Sequence, residues 1–267
     1  MKVIISHDVD HLYPSDHWFD LFFPRLWARS FVQLIRRQIG LKTFFNRLLC
    51  VFNRRLNRIP ELCEFDQYNG VKSTFFFGMA NALGMSYHKD KALYWIKYVK
   101  DRHFEAGVHG CDYQSMEAIK REHDDFYKLT GIKKFGIRNH YVRYDNDTFK
   151  KMSKAGYLFD STEFNKSYAE YKDPYKIGQM WEFPLAIMDV YIYRFDVNKS
   201  KKIVEQFISQ ALEKGGKYLT ILFHDTSFDP KCYPEQKLLY EWIVGYVKDL
   251  GMEFVSYNDA IKELEND

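Results

Sequence analysis

The densest chemistry in the chain lies near its beginning. Residues His7-Asp8-Val9-Asp10-His11 put four ionisable side chains directly after the apolar run Val3-Ile4-Ile5. Asp8 and Asp10 are two apart, so on a strand they point the same way. Two carboxylates converging on one pocket either repel, which raises one pKa, or share a cation. Later apolar runs end in further reactive residues: His109, then Arg138 with His140, Asp160 with Glu163, and His224 with Asp225. Carboxylate oxygen and imidazole nitrogen together suit zinc, iron, manganese or cobalt, and such an ion lowers the pKa of a bound water toward about 7 and polarises a carbonyl. One aspartate would then be left as a base and a protonated His224 as the acid for a leaving group. Arg138 beside Asp8 would keep that carboxylate ionised and oriented. A polar loop, a structural histidine or a surface ion pair explains any one of these residues; the combination points to metal-assisted hydrolysis.

These residues work together only if the elements carrying them share one end of a sheet. Val3 to Ile5 reads as a parallel strand covered on both faces, and catalytic groups in barrels and open α/β sheets gather at the carboxyl ends of such strands. Further strands are expected at Ser73 to Phe77, Glu105 to His109, Phe135 to Arg138, Tyr157 to Asp160, Trp181 to Leu185, Tyr218 to Phe223 and Glu253 to Ser256. Helical patterns alternate with them at Ala92 to Arg102, Ser115 to Leu129, Asp147 to Ala155, Lys199 to Lys214, Pro234 to Leu250 and Asn258 to Leu264. Such alternation implies crossover helices between parallel strands. The expected fold is therefore a single α/β domain over residues 1–267, a distorted (β/α) barrel of seven to eight mostly parallel strands.

One stretch breaks the alternation. Between about residues 16 and 60, Phe19, Phe22, Phe23, Leu26, Trp27, Phe31, Leu34 and Ile35, and then Leu41, Phe44, Phe45, Leu48, Leu49, Phe52 and Leu56, recur at helical spacing, with Gly40 between the two sets. This helical insertion after the first strand holds nine bases against Asp16 and Asp20, a net of +7, so the rest of the chain carries −4 of the overall +3. Its helices either roof the pocket or lie on an anionic membrane, where basic amphipathic helices gain from both burial and charge. No nucleic-acid reader motif accompanies the charge, so nucleic acid is not an expected partner.

Composition narrows the class further. Hydrophobic residues make up 46% and aromatic ones 18%, enough for a large core and a ring-stacking cleft. The four cysteines form no CxxC pair, which argues against a structural zinc or a disulfide framework. No window reaches the roughly 18 uncharged apolar residues of a membrane span, and the apolar stretch after Lys2 is too short for a signal peptide. A cytoplasmic location is expected, with peripheral contact on the inner face of the membrane through residues 16–60 as a refinement.

In order, these segments resemble the motifs of the polysaccharide deacetylase family, carbohydrate esterase family 4. Ser6-His7-Asp8-Val9-Asp10 is similar to its opening aspartate motif, Lys72-Ser73-Thr74-Phe75-Phe76 to its Thr-Phe-Phe strand, and Glu105 to Gly110 to the segment bearing a metal-binding histidine. Arg138-Asn139-His140-Tyr141 resembles its Arg-x-Pro-Tyr motif, Asp160 to Phe164 its acid-plus-aromatic motif, and Ile221 to Asp225 its last one. The resemblance covers the first ten residues and most of the chain from about Val71. It implies a (β/α) barrel hydrolase that uses a divalent metal, zinc first and iron, manganese, cobalt or nickel otherwise, to remove acetyl from an N-acetylated sugar during assembly of a bacterial capsule or O-antigen. By this match Asp8 is the base and Asp10 a metal ligand. His109 is a second ligand, Arg138 steadies the base, His224 is the acid and Glu163 orients it. Tyr113, Tyr141 and Phe164 are the candidate substrate contacts.

Two positions depart from the pattern. The family's second metal histidine, four residues after the first, is here Tyr113, and the proline of the arginine motif is His140. One imidazole is lost and another gained, so the expected metal set is Asp10, His109 and His140. The alternatives are an impaired, carbohydrate-binding relative and a hydrolase of another non-peptide C–N bond, such as a formamide or cyclic amide. Whether the sugar is free, nucleotide-linked or lipid-linked stays open.

Overall fold

The alternation of side-chain direction along the first strand decides which of its residues meet the site. In the computed structural model, which describes residues 1–164, 171–193 and 196–266, β1 spans Lys2–Val9 and is buried from Val3 onward. Val3 and Ile5 pack into the larger core with Phe75 and Phe77, whereas Ile4 joins a separate inner cluster with Phe76, Phe159, Phe183 and Tyr257. Asp8 therefore points to the inner face with Ile4 and Ser6, while His7 points to the outer layer. There His7 bridges the Phe223 carbonyl at 2.9 Å and Asp66 at 3.0 Å, which makes it a structural residue.

The remaining strands are β2 (Thr74–Gly78), β3 (Glu105–Gly110), β4 (Ile137–Asn139), β5 (Phe159–Asp160), β6 (Tyr175–Ile177), β7 (Met180–Glu182), β8 (Ile187–Met188), β9 (Tyr218–Leu222) and β10 (Glu253–Phe254). They form one sheet in the order β6-β7-β5-β4-β3-β2-β1-β9-β8, with β10 also paired to β1. All pairings are parallel except β6 with β7. The helices are α1 (Phe22–Ile35), α2 (Leu41–Leu49), α3 (Ile59–Asn69), α4 (Lys89–Lys100), α5 (Met116–Thr130), α6 (Thr148–Ala155), α7 (Asp189–Ile192), α8 (Val197–Glu213), α9 (Pro234–Asp249) and α10 (Tyr257–Asn266).

Closure comes from a single stretch of chain. Expected as one strand, the segment around Trp181 to Leu185 splits instead: β7 pairs with β5, and a few residues on β8 pairs with β9 on the far side of the sheet. The sheet thus curls into a distorted, incomplete barrel, α/β and mostly parallel. Its interior is filled with aromatics, Phe159 stacking on Tyr257 at 4.3 Å between ring centres. A Cβ on Gly136 would lie 2.3 Å from the Phe159 ring, so a larger residue there would expel that ring from the interior.

The insertion consists of α1, α2 and the turn that follows. It is fastened by a small cluster of Phe23, Leu26, Cys50, Leu56 and Cys232, and by Arg47, whose Nε donates to the Cys232 carbonyl at 2.8 Å. Much of its apolar surface stays uncovered: Phe19, Ile35, Leu41 and Phe52 are exposed. All four cysteines are free thiols.

Candidate active site

Three strand ends bring the ligand set together. Asp10 follows β1, His109 lies on β3, and His140 follows β4 on a tight turn in which Tyr141 and Val142 have φ of 60° and 48°. A β-branched residue in that left-handed region is a steric outlier, costing of order 1–3 kcal/mol that the surroundings must offset. The turn lays the His140 ring edge-on to His109, with Nδ1 3.0 Å from His109 Nε2. Asp10 Oδ1 lies 3.2 Å from His109 Nε2 and 3.3 Å from His140 Nδ1.

Hydrogen bonding outside this triangle fixes what each atom offers. His109 Nδ1 is 2.9 Å from the Arg138 carbonyl and His140 Nε2 is 2.9 Å from the Leu83 carbonyl. A carbonyl only accepts, so each of these nitrogens carries the hydrogen. The inward nitrogens of the neutral rings are then bare lone pairs, and they meet an Asp10 Oδ1 that is buried without a hydrogen-bond donor. Three acceptors this close repel unless a cation lies among them. Ligands at 2.0–2.1 Å around a tetrahedral zinc stand about 3.3 Å apart, close to the separations seen here. The residues therefore fit a divalent ion, with the open coordination positions that a catalytic site requires. Among the described residues this is the one group of three such ligands. Without an ion, a proton takes the same place: protonated His140 and a donating His109, with the charge of His224, then hold the Asp10 carboxyl well below its usual range against the opposing effect of burial, so proton and ion compete for one point.

Asp8 and His224 flank the triangle. Arg138, fully buried, donates through Nη1 to Asp8 Oδ1 at 3.0 Å, through Nε to the Ser161 carbonyl at 2.9 Å, and through Nη2 to Ser161 Oγ and Tyr257 Oη, both at 3.0 Å. Its guanidinium also sits 4.6 Å from the centre of the Phe76 ring. Asp8 is thus fixed by one oxygen while the other lies 3.8 Å from His109 Nε2. His224 Nε2 is 3.7 Å from Asp10 Oδ2.

The group that orients His224 is Asp189, which the sequence reading missed. His224 Nδ1 donates to Asp189 Oδ1 at 2.8 Å, and the His224 backbone N–H and Ser227 Oγ donate to Asp189 Oδ2, each at 2.8 Å. Burial pushes the His224 imidazole down, but the charge of Asp189 and this hydrogen bond prevail and push it up to about 10. Glu163, expected to orient the acid, instead accepts from Lys172 at 2.7 Å and Tyr175 at 2.8 Å. Asp225 turns away to accept the Arg58 backbone N–H at 3.0 Å, and Asp160 lies buried beside Glu182, where burial pushes both carboxyls up.

Tyr113, Tyr141 and Phe164 all line one cleft of about 640 Å³, together with Tyr144, Glu163 and Lys172. Tyr113, which stands where the motif has its second histidine, therefore belongs to the wall of this cleft. A further imidazole chain fastens the start of the insertion beside the site. His11 Nδ1 is 3.1 Å from His17 Nε2, His17 Nδ1 donates to Asp20 at 2.7 Å, and Ser86 Oγ donates to the same carboxylate at 2.5 Å.

No protein-family sequence model matches the chain, and no curated protein matches it in sequence. Solved structures do match. A candidate polysaccharide deacetylase from Mycobacterium smegmatis superposes with a TM-score of 0.62 at 16% identity, over 98% of this chain and 88% of that one. The fold is shared with carbohydrate esterase family 4. A Bacillus anthracis pseudoenzyme of that family, in a mutant form with restored activity, gives a TM-score of 0.51 at 12% identity, over 97% of this chain and 66% of that one. An allantoinase gives 0.62 at 13% identity, over 97% and 88%. One scaffold therefore serves more than one activity, and the residues of this chain must carry the functional reading.

Proposed function

We propose that the protein is a metal-dependent hydrolase that removes acetyl from an N-acetylated sugar, in the cytoplasm, during assembly of a bacterial surface polysaccharide such as capsule or O-antigen. The observation that carries the hydrolase reading is the convergence of two outwardly fixed imidazole lone pairs and the donor-less Asp10 oxygen on one point. The fold likeness and the aromatic cleft support a sugar as substrate.

Asp10, His109 and His140 would hold the ion, zinc first, which when bound activates water and polarises the acyl carbonyl. Asp8 takes the proton of the attacking water, its position set by Arg138. His224, held by Asp189, delivers its proton to the amine nitrogen as the C–N bond breaks, so that acetate and a free amine leave. Tyr113 and Tyr141 offer ring faces to the sugar, and Phe164 closes the acyl end.

Elemental analysis of the purified protein with an acetate-release assay on N-acetylhexosamine oligomers tests this reading. Asp8→Asn is expected to abolish turnover while leaving the metal bound; unchanged turnover would remove Asp8 as the base. The likeness to a pseudoenzyme and the Tyr113 departure favour a second reading, a carbohydrate-binding protein with impaired catalysis. Full metal occupancy without acetate release, from this substrate or any other acylated amine, would select it. The likeness to an allantoinase favours hydrolysis of another C–N bond, which formate release or cyclic-amide opening would reveal.

A further inference from the structure

We propose that the insertion seats the protein on an anionic bilayer, with α1, α2 and the residues flanking them pressed into the headgroup layer. Ten of the twenty-one large apolar side chains exposed among the described residues lie between Trp18 and Phe52. They are ordered. On α1 the residues Ala28, Phe31, Val32 and Ile35, at i, i+3, i+4 and i+7, are all exposed, while Phe23, Leu26 and Ser30 supply the packed face. On α2 and the turn after it, Leu41, Phe45, Leu49 and Phe52 form a second exposed stripe at i, i+4, i+8 and i+11. Each helix thus carries a second apolar stripe beyond the packing that holds it to the barrel. A water-facing helix gains nothing from such a stripe, whereas an interfacial helix requires one.

Charge selects the occupant. Arg25, Arg29 and Arg36 run beside the α1 stripe, and Arg37, Lys42 and Arg54 are exposed nearby. A second copy packed symmetrically on this face would set the same basic patch against itself, whereas an anionic lipid surface meets it with the opposite charge, at about 1 kcal/mol per basic residue. Among the described residues no helix is long and apolar enough to cross a membrane, so the contact is peripheral. The surface also adjoins the site: Phe22, the first residue of α1, packs on the His11 ring at 4.3 Å between ring centres, and His11 directly follows Asp10. Docking there brings the site close to the lipid.

The test is flotation of the full chain with vesicles of phosphatidylcholine alone or mixed with phosphatidylglycerol. Binding is expected to the mixed vesicles only, and to fall about tenfold or more in high salt. Phe31→Ser with Ile35→Ser, Phe45→Ser with Leu49→Ser, and Arg29→Gln with Arg36→Gln should each weaken it about tenfold with an unchanged melting temperature, since all six side chains are exposed and none belongs to a core cluster. If a variant melts early, the wild type supplies the second readout. Trp18, 69% exposed, should be quenched by brominated lipid in mixed vesicles. No flotation with mixed vesicles, binding indifferent to salt, or dimers that disappear with the same serine substitutions would overturn the proposal. Flotation reads binding and acetate release reads turnover, so the failure of either reading is visible without the other.

Discussion

At the scale of single residues, His224 owes its proton to Asp189. Its pKa in the folded protein, pushed up to about 10, lies above the ordinary 6.5. The stabilisation from this pair is therefore complete below about pH 6.5 and is lost as pH rises through about 10. Asp189→Asn removes the charge that holds the proton. Its acetate-release pH profile should lose the alkaline limb at lower pH than the wild type, with kcat down by roughly 10²–10⁴; an unshifted limb would remove His224 as the acid. Arg138 acts on the other flank. Arg138→Met strips the partner from a buried Asp8, and urea denaturation should show a loss of about 3–5 kcal/mol. Asp8, Asp10, His109, Arg138, His140 and His224 were legible because each closes an apolar run and sits in a short motif. Asp189 was not, because it lies 35 residues from His224 and only the curl of the barrel makes them neighbours.

At the scale of elements, the strands that hold most of the site, β1 to β4 and β9, were legible from buried apolar runs flanked by helical periodicity. The pairing of 180–188 was not, because its change of partner from β5 to β9 depends on closure across the whole sheet. Nor was β6, whose Tyr175 and Lys176 are exposed and form an antiparallel edge without a strong apolar pattern. The loop after β3 is tied down by an acid on a helix. Glu122 of α5 accepts the backbone N–H groups of Cys111 at 3.0 Å and Asp112 at 3.2 Å. Burial outweighs those bonds and pushes its carboxyl up to about 7 from 4.5. A carboxyl raised on folding favours the folded state in its protonated form, so stability falls as pH rises from about 4.5 to about 7 and then stays lower. Unfolding free energies from urea titrations at about pH 5 and about pH 8 should differ in the wild type by an amount of order 2–3 kcal/mol that shrinks in Glu122→Gln. Equal pH dependence in the two proteins would assign the effect elsewhere.

At the scale of the whole molecule, the three ligands come from chain positions 10, 109 and 140, at the ends of three different strands, so an ion held by them links segments that the unfolded chain separates. An ion that binds only the folded protein adds RT ln(1 + [L]/Kd), about 2.7 kcal/mol at a hundredfold excess over Kd. At roughly 2–4 °C per kcal/mol for a chain of this size, chelation should lower the melting temperature by about 5–10 °C, and zinc should restore it. His140→Ala removes one corner of the triangle and also the lone-pair repulsion that an empty site imposes. Its melting temperature should therefore lie near that of the chelated wild type and respond little to zinc or chelator. A His140→Ala protein that still gained the full increment from zinc would place the ion elsewhere, and with it the reading of Asp8 and His224 as base and acid around this point.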